Sequence, residues 1–210
     1  MTAIVVVAKH PVPGRVKTRL HPPLTLEQAA SVAAASLDDT LAALAGAGTR
    51  RILFSDDGHL PASARGWEAW RQPEGPLDER LAALLDRLDE PMLLVGMDTP
   101  HLADALAPAL AAWPADVDAW FGPALDGGFW ALGLRRPDGA LLRGVPMSRD
   151  DTGDRTLRRL EAAGLRTRHL PALRDIDGID DLVAVAHAAP ASRTAAAFAR
   201  AGWSAIGAAS

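Results

Sequence analysis

Four cationic side chains, Lys9, Arg15, Lys17 and Arg19, crowd the stretch from Ala8 to Leu20, and the first acidic residue of the chain is Glu27. The whole chain of 210 residues has a formal net charge of −4, so this is a local reversal of sign. Pro11 and Pro13 bar a helix here, and Gly14 lets the backbone approach where a Cβ would stand. Fixed cations beside exposed backbone N–H groups suit a phosphate chain, which is multiply charged and accepts paired bonds from guanidinium. The same residues also read as a solvated basic loop, the commoner fate of a charge cluster. Two phosphate motifs are excluded. Val16 precedes Lys17 where a P-loop requires glycine, and Arg51 follows Gly46 and Gly48 where a dinucleotide fingerprint requires glycine.

The carboxylates that could work with these cations are scattered. Asp98 follows the apolar run Met92 to Gly96, and a carboxylate at a strand's carboxyl end can hold Mg²⁺ or Mn²⁺. The competing reading is a helix N-cap, for which Thr99 also qualifies. Asp126 lies in Leu-Asp-Gly-Gly-Phe, where a hairpin turn alone would explain it. Asp175 and Asp177, two apart in an extended segment, project the same way and can share a cation, or can simply precede a capped helix. Metal plus cations is the minimum for handling a diphosphate or triphosphate. The six histidines show no metal-ligand spacing and read as structural or exposed, and no G-x-S-x-G supports a serine nucleophile.

The elements that must position these residues alternate between two periods. Ile4 to Ala8 reads as a strand buried on both faces, so the basic loop leaves the carboxyl end of a central strand, where open α/β sheets bind ligands. Thr25 and Gln28 form a capping box for an alanine-rich helix running to about Gly46. Strands follow at Arg50 to Phe54 and Trp67 to Arg71, then a helix opened by Pro76 with Leu77, Leu81, Leu84, Leu85 and Leu88 on one face. After the strand at 92–96 come a helix through about Ala112, strands at 117–122 and 128–134, a helix over 152–163, a strand at 165–170 and a helix opening at Ile179. This order predicts an α/β fold, a mostly parallel mixed sheet with helices on both faces. The segment 190–210 is alanine-rich, with Phe198, Trp203 and Ile206 its large apolar groups, and reads as a docking helix, a dimer contact or a frayed end.

Composition narrows the class further. At 49% hydrophobic and 23% charged, with a pI of about 5.8, the chain is an ordinary soluble globular protein, and nucleic acid is not the expected partner. The absence of cysteine excludes disulfides and thiolate metal sites and fits a cytoplasmic location. No segment reads as a membrane span, and the N-terminus enters a strand without the features of a signal peptide.

Taken in order, Lys9-x-Pro-x-Pro-Gly-x-Val-Lys-Thr-Arg-Leu20, Gln72 with Gly75, Leu77 and Arg80, Gly96-x-Asp98-x-Pro100, Gly122-Pro-Ala-x-Asp126-Gly-Gly128, and Asp175-Ile-Asp177 with Asp181-Leu182 resemble a bacterial glycosyltransferase-like family of the nucleotide-diphospho-sugar transferase superfamily. The layout is more distantly similar to the 2-phospholactate and molybdenum-cofactor guanylyltransferases. The resemblance spans residues 3 to 185. It implies a GT-A (Rossmann-like) domain over 1–189, with the segment 190–210 as a tail or helix beyond it. It also implies that Lys9, Gly14, Arg15, Lys17, Thr18, Arg19 and Arg80 bind nucleotide phosphates, that Gln72 reads the base, and that Asp98, Asp175 and Asp177 hold Mg²⁺ or Mn²⁺. Lys17, Asp98 and Asp126 become the catalytic candidates, Asp126 as acceptor contact or base. The chain departs from the family in Gly-Met-Asp-Thr-Pro for Gly-Thr-Asp-Ser-Pro, Asp-Gly-Gly-Phe for Asp-Gly-Gly-Tyr, and Met147-Ser148-Arg149 for Trp-Ser-Thr.

The expected function is therefore a metal-dependent transferase that takes a nucleotide-sugar or nucleoside triphosphate donor and a small-molecule acceptor. Glycosyl transfer and nucleotidyl transfer both fit, and a nucleotide-binding protein without turnover is the alternative of another class.

Overall fold

The computed structural model describes residues 2–111 and 113–203. The strands are β1 (Ala3–Ala8), β2 (Arg50–Ser55), β3 (Glu68–Arg71), β4 (Met92–Gly96), β5 (Ala119–Pro123), β6 (Phe129–Leu134) and β7 (Thr167–His169). They form one sheet in the order β3-β2-β1-β4-β6-β5-β7. Only β6 runs against its neighbours, β4 and β5. The α-helices are α1 (Leu26–Ala43), α2 (Leu77–Leu85), α3 (Ala103–Ala111), α4 (Thr152–Ala162), α5 (Ile179–Ala188) and α6 (Arg193–Arg200).

The period-2 alternation of β1 accounts for the layers. Ile4, Val6 and Ala8 join one apolar cluster with Leu37 and Leu41 of α1 and Leu106 of α3. Ala3 and Val5 join another with Leu81 and Leu84 of α2 and Leu160 of α4. A strand covered on both faces must be apolar at every position, which is why Val and Ile run unbroken there. The alanine content of α1 has the same origin. Its opposite face, Ala29, Val32 and Ala35, packs with Leu182 and Val185 of α5 and Phe198 of α6 in a third cluster. A helix packed on two sides needs small residues to bring its neighbours close.

The Thr25–Gln28 capping box forms as read: the Thr25 hydroxyl accepts from Gln28 N at 3.2 Å, and Gln28 Oε1 accepts from Thr25 N at 2.8 Å. Thr25→Ala is expected to cost about 1 kcal/mol, seen as a lower denaturant midpoint at unchanged m-value.

Several bounds differ from the sequence reading. The first helix ends at Ala43, short of Gly46, in turns that bring Thr49 N to Thr2 O at 3.0 Å. The helix after β4 begins only at Ala103, with Asp98 to Leu102 forming a turn. The strand read over 165–170 is limited to Thr167–His169. Ala112 and Ile206 lie outside the described residues. No described helix is long and apolar enough to cross a membrane.

Register fixes the edge that matters. Ala8 stands level with Ser55, Ser55 with Arg71, and Val7 with Gly96, so β1 to β4 all end together. The loops leaving these parallel strands converge at one edge.

Candidate functional site

Lys17 is the centre of that edge. The loop carrying it is folded by its own backbone, with Arg15 N on Val12 O at 3.0 Å and Leu20 N on Lys17 O at 3.0 Å. Lys17 has a left-handed backbone, φ 49° and ψ 37°, a conformation that costs a non-glycine residue and clusters at functional positions. Its Nζ is 2.8 Å from Asp98 Oδ2 and also donates to the Ile176 carbonyl, and only 9% of the side chain is exposed. Asp98 O in turn accepts from Ile176 N at 2.9 Å. One ammonium thus joins the basic loop, the turn after β4 and the Asp-Ile-Asp segment.

The carboxylates stand in each other's field. Burial, then the charge of Asp126, then that of Asp98 push the Asp175 carboxyl up to about 6, while Lys17 works the other way. Asp98 Oδ1 is buried without a hydrogen-bond partner among the described residues. An unpartnered buried carboxylate oxygen is costly unless something absent from the chain completes it. Asp98 cannot be a helix cap, since α3 starts five residues later. Asp177 is held by an ion pair with Arg19. Its backbone N and that of Gly178 donate to Asp181 Oδ2, while Asp181 Oδ1 accepts from Arg174 at 2.7 Å. Asp181 is thus the brace of this segment, a role its place in the last sequence motif alone signalled. Among the described residues no three His, Cys, Asp or Glu side chains gather closely enough to hold a metal ion alone.

Because its folded pKa is raised, the Asp175 contribution to stability is present in full below the unfolded carboxylate value and lost as pH rises through about 6. Asp175→Asn is therefore expected to gain on wild type between pH 4 and pH 7, by about 1–2 kcal/mol after solvent screening. Paired melts at the two pH values measure it.

Asp126 sits at the tip of the β5–β6 hairpin, where its Oδ1 accepts from Gly128 N at 2.8 Å. The turn read from the sequence is thus formed here. Leu125 N donates to Leu173 O at 3.0 Å, and an isolated bridge pairs Ala124 with Leu173, which carries the chain past the hairpin towards Asp175. Lys9, Arg15 and Thr18 are exposed, and their side chains make no hydrogen bond among the described residues. Lys9 N donates to Met97 Sδ at 3.3 Å, and Gly14 takes φ 75° in the loop turn.

Gln72 does not fit the base-reading role that the resemblance gave it. It is 6% exposed, and its Nε2 donates to Ala8 O at 3.1 Å and Phe54 O at 2.8 Å. Its Oε1 accepts from Arg80 Nη1 at 2.6 Å. With both donors and the oxygen engaged inside the fold, the amide locks the exit of β1 and orients Arg80.

Sequence reasoning missed three further groups. Thr99 Oγ1 and His101 Nδ1, beside Asp98, are buried without partners among the described residues, and burial lowers the His101 pKa. His10, read as structural or exposed, has Nδ1 3.0 Å from Asp57 Oδ2. Only the fold brings residues of the first and second loops together.

The comparisons with known proteins agree with this architecture. A family model described as "Uncharacterized protein conserved in bacteria (DUF2064)" matches residues 28–149. No curated protein matches the sequence. A structure from Desulfovibrio desulfuricans that carries the provisional name nucleotide-diphospho-sugar transferase superposes with a TM-score of 0.82 at 25% identity, covering 95% of this chain and 94% of that one. A 2-C-methyl-D-erythritol 4-phosphate cytidylyltransferase from Thermus thermophilus superposes at 0.54 with 19% identity, covering 90% and 100%. A CMP:2-keto-3-deoxy-manno-octonic acid synthetase complexed with CTP superposes at 0.53 with 12% identity, covering 90% and 98%. The chain has the GT-A-like α/β fold of these transferases.

Proposed function

This chain belongs to the DUF2064 family of proteins conserved in bacteria, and from that premise we propose that it is a metal-dependent transferase acting on a nucleotide-sugar or nucleoside triphosphate donor. The observation that carries the reading is Lys17, a nearly buried ammonium held against Asp98 and the Ile176 carbonyl at the sheet edge where ligands bind. Of the neighbours that share the fold, two are named as transferases and a third is a synthetase complexed with CTP.

The residues fit Mg²⁺ or Mn²⁺ bound jointly with phosphate, since such ions usually take one or two carboxylates and complete their shell with phosphate oxygens and water. Asp98, with its free buried Oδ1, and Asp175, crowded by other carboxylates, are the two donors best suited. Asp177 would join them only on leaving Arg19. A bound cation there supplies neutralisation of the charge that develops on the departing phosphates.

Lys17 stabilises the same charge from the protein side, in a setting dry enough to strengthen the interaction. Lys9, Arg15 and Thr18, exposed and without internal partners, are available for the outer phosphates. Asp126 at the hairpin tip faces the acceptor. In glycosyl transfer an acceptor hydroxyl attacks the anomeric carbon and the nucleoside diphosphate leaves, with Asp126 taking the hydroxyl proton. Nucleotidyl transfer is the second reading, favoured by the number of free phosphate-binding groups in the loop. There an acceptor phosphate attacks the α-phosphorus and pyrophosphate leaves.

A thermal-shift panel of the four nucleoside triphosphates and the common UDP, GDP and dTDP sugars, with and without Mn²⁺, separates the readings, because a ligand bound only by the folded state raises Tm by mass action. Metal-dependent stabilisation by one nucleotide sugar supports glycosyl transfer, and by a triphosphate alone nucleotidyl transfer. Binding without product in any donor and acceptor pair would leave a non-catalytic nucleotide-binding protein, and no shift at all would overturn the proposal. Asp98→Asn is expected to keep the fold and lose the Mn²⁺-dependent part of the shift, with donor affinity in Mn²⁺ falling about 10–100-fold. Unchanged metal dependence in that variant would remove Asp98 from the metal.

A further inference from the structure

His10 ties the loop leaving β1 to the loop leaving β2. Asp56 Oδ1 accepts from its backbone N at 2.7 Å, and its ring Nδ1 lies 3.0 Å from Asp57 Oδ2. His10 fills the open position of Lys9-x-Pro, so the resemblance gives it no role. We infer that His10 is a cation of the basic loop that forms on binding: as a polyphosphate arrives, its free Nε2 takes a proton from solvent and donates it to a phosphate oxygen. The inference rests on the basic loop as the phosphate site.

Two features of the ring prepare it. First, its tautomer is fixed. Asp57 Oδ1 accepts from His59 N at 2.9 Å and from the Ser55 hydroxyl at 3.3 Å, and Ser55 Oγ in turn accepts from Gly58 N at 3.0 Å. Burial works against ionisation of Asp57, but the His59 N–H, the His10 ring and the Ser55 hydroxyl together hold its carboxyl below the usual carboxylate range. An ionised carboxylate only accepts, so His10 Nδ1 carries the hydrogen and Nε2 is the atom that gains or loses a proton. Second, the ring is held and yet open. It meets the His59 ring nearly at right angles, with centroids 5.2 Å apart. Its Nε2 has no partner among the described residues, and 37% of the side chain is exposed. An imidazole fixed at one nitrogen and free at the other is oriented before a ligand arrives.

The charges around the ring supply the reason. Lys9 precedes it on its own loop, and Asp56, Asp57 and His59 surround it from the loop after β2, where Gly58 lies against Arg71 of β3. Ala8 and Ser55 stand level on neighbouring strands, so the two carboxylates begin about 4.8 Å from the basic loop and repel any polyanion held there. An imidazolium between them and the phosphates offsets one of those negative charges and adds a charge-assisted bond. Asp57 and a phosphate favour the same protonated ring, so binding draws the proton in. Polyphosphate affinity is therefore greatest at low pH and falls as pH rises through the titration of His10 in the complex, by at most about tenfold per pH unit.

Calorimetric titration of the full chain with inorganic tripolyphosphate, without metal, tests this in two phosphate-free buffers of different ionisation enthalpy, whose comparison counts the protons taken up. At about pH 7.5 wild type is expected to take up about 0.5–1 proton more than His10→Gln. It is also expected to bind about three- to tenfold more tightly than that variant at about pH 6.5, with the advantage shrinking by about pH 8.5. Asp57→Asn loses the extra proton as well, since it removes the charge that stabilises the imidazolium, whereas His59→Gln keeps it. The side chains of His10 and Asp57 are 37% and 41% exposed, so both variants keep the fold, which melts verify. Equal proton counts in wild type and His10→Gln would overturn the inference even where affinity falls, because a mere brace between the loops changes affinity without moving a proton. A count lost in His59→Gln and kept in His10→Gln would overturn it too. In both cases tripolyphosphate still binds and the transferase reading stands, whereas no binding by wild type would remove the basic loop as the phosphate site and take both proposals with it.

Discussion

Lys17→Met is expected to lower turnover by about 10²–10³-fold, with donor phosphates bound more weakly and nucleosides bound as in wild type. The ammonium is nearly buried, contacts Asp98 at 2.8 Å and donates to Ile176 O, so its position is fixed before any ligand arrives. A preorganised charge at a dry site needs no rearrangement when negative charge develops, and methionine keeps the side chain's shape while removing that charge. The substitution also leaves Asp98 Oδ2 and Ile176 O without their donor, for which a stability loss of about 1–3 kcal/mol is expected. It carries a further signature. Lys17 now opposes the upward shift of Asp175, so without it the Asp175 carboxyl titrates above about 6 and any pH profile governed by that group moves upward. Equal weakening of nucleoside and triphosphate binding, with the pH profile unmoved, would mean that Lys17 is only a brace for the loop.

Gly127→Ala is the second large effect, expected to destabilise the protein by about 2–4 kcal/mol and to lower Tm by roughly 5–15 °C. Gly127 takes φ +89°, a region L side chains avoid, and a Cβ there would fall on the Asp150 carbonyl. Backbone cannot swing aside as a side-chain tip can. The same neighbour relation holds the hairpin against the start of α4, through Gly153 N on Gly127 O at 2.8 Å. Relief of the clash must therefore move either α4 or the hairpin tip, and the tip carries Asp126. A variant that melts like wild type would show that this contact is not what sets the hairpin. A variant that folds in the cold but no longer loses activity on Asp126→Asn would show that the tip has moved out of the site.

Asp126 illustrates how much of the site was legible before folding. The Asp-Gly turn, the capping box of Thr25 and the unbroken apolar run of β1 are local patterns, set by rules that act over a few residues, and they appear where the sequence places them. Their bounds shift by a few residues where tertiary contacts intervene, as at the end of α1. Gln72 is the contrary case. The resemblance implied that this amide reads a base, but an amide has only four hydrogen-bonding valences, and which neighbours fill them depends on strands far away in the chain. The carbonyls of Ala8 and Phe54 take both donors, and Arg80 Nη1 donates to the oxygen.

The sequence by itself determined the fold class, the edge of the sheet that carries the candidate site, and the residue types collected there, because periodicity, turn chemistry and charge are written along the chain. Tertiary structure alone decided the partnerships. Lys17 meets the Ile176 carbonyl across 159 positions, Arg19 meets Asp177 across 158, and Asp175 acquires its raised pKa from burial and from Asp126 on another loop. Pairing of this kind depends on distance and desolvation in three dimensions, and neither quantity has a local signature for a one-dimensional pattern to carry.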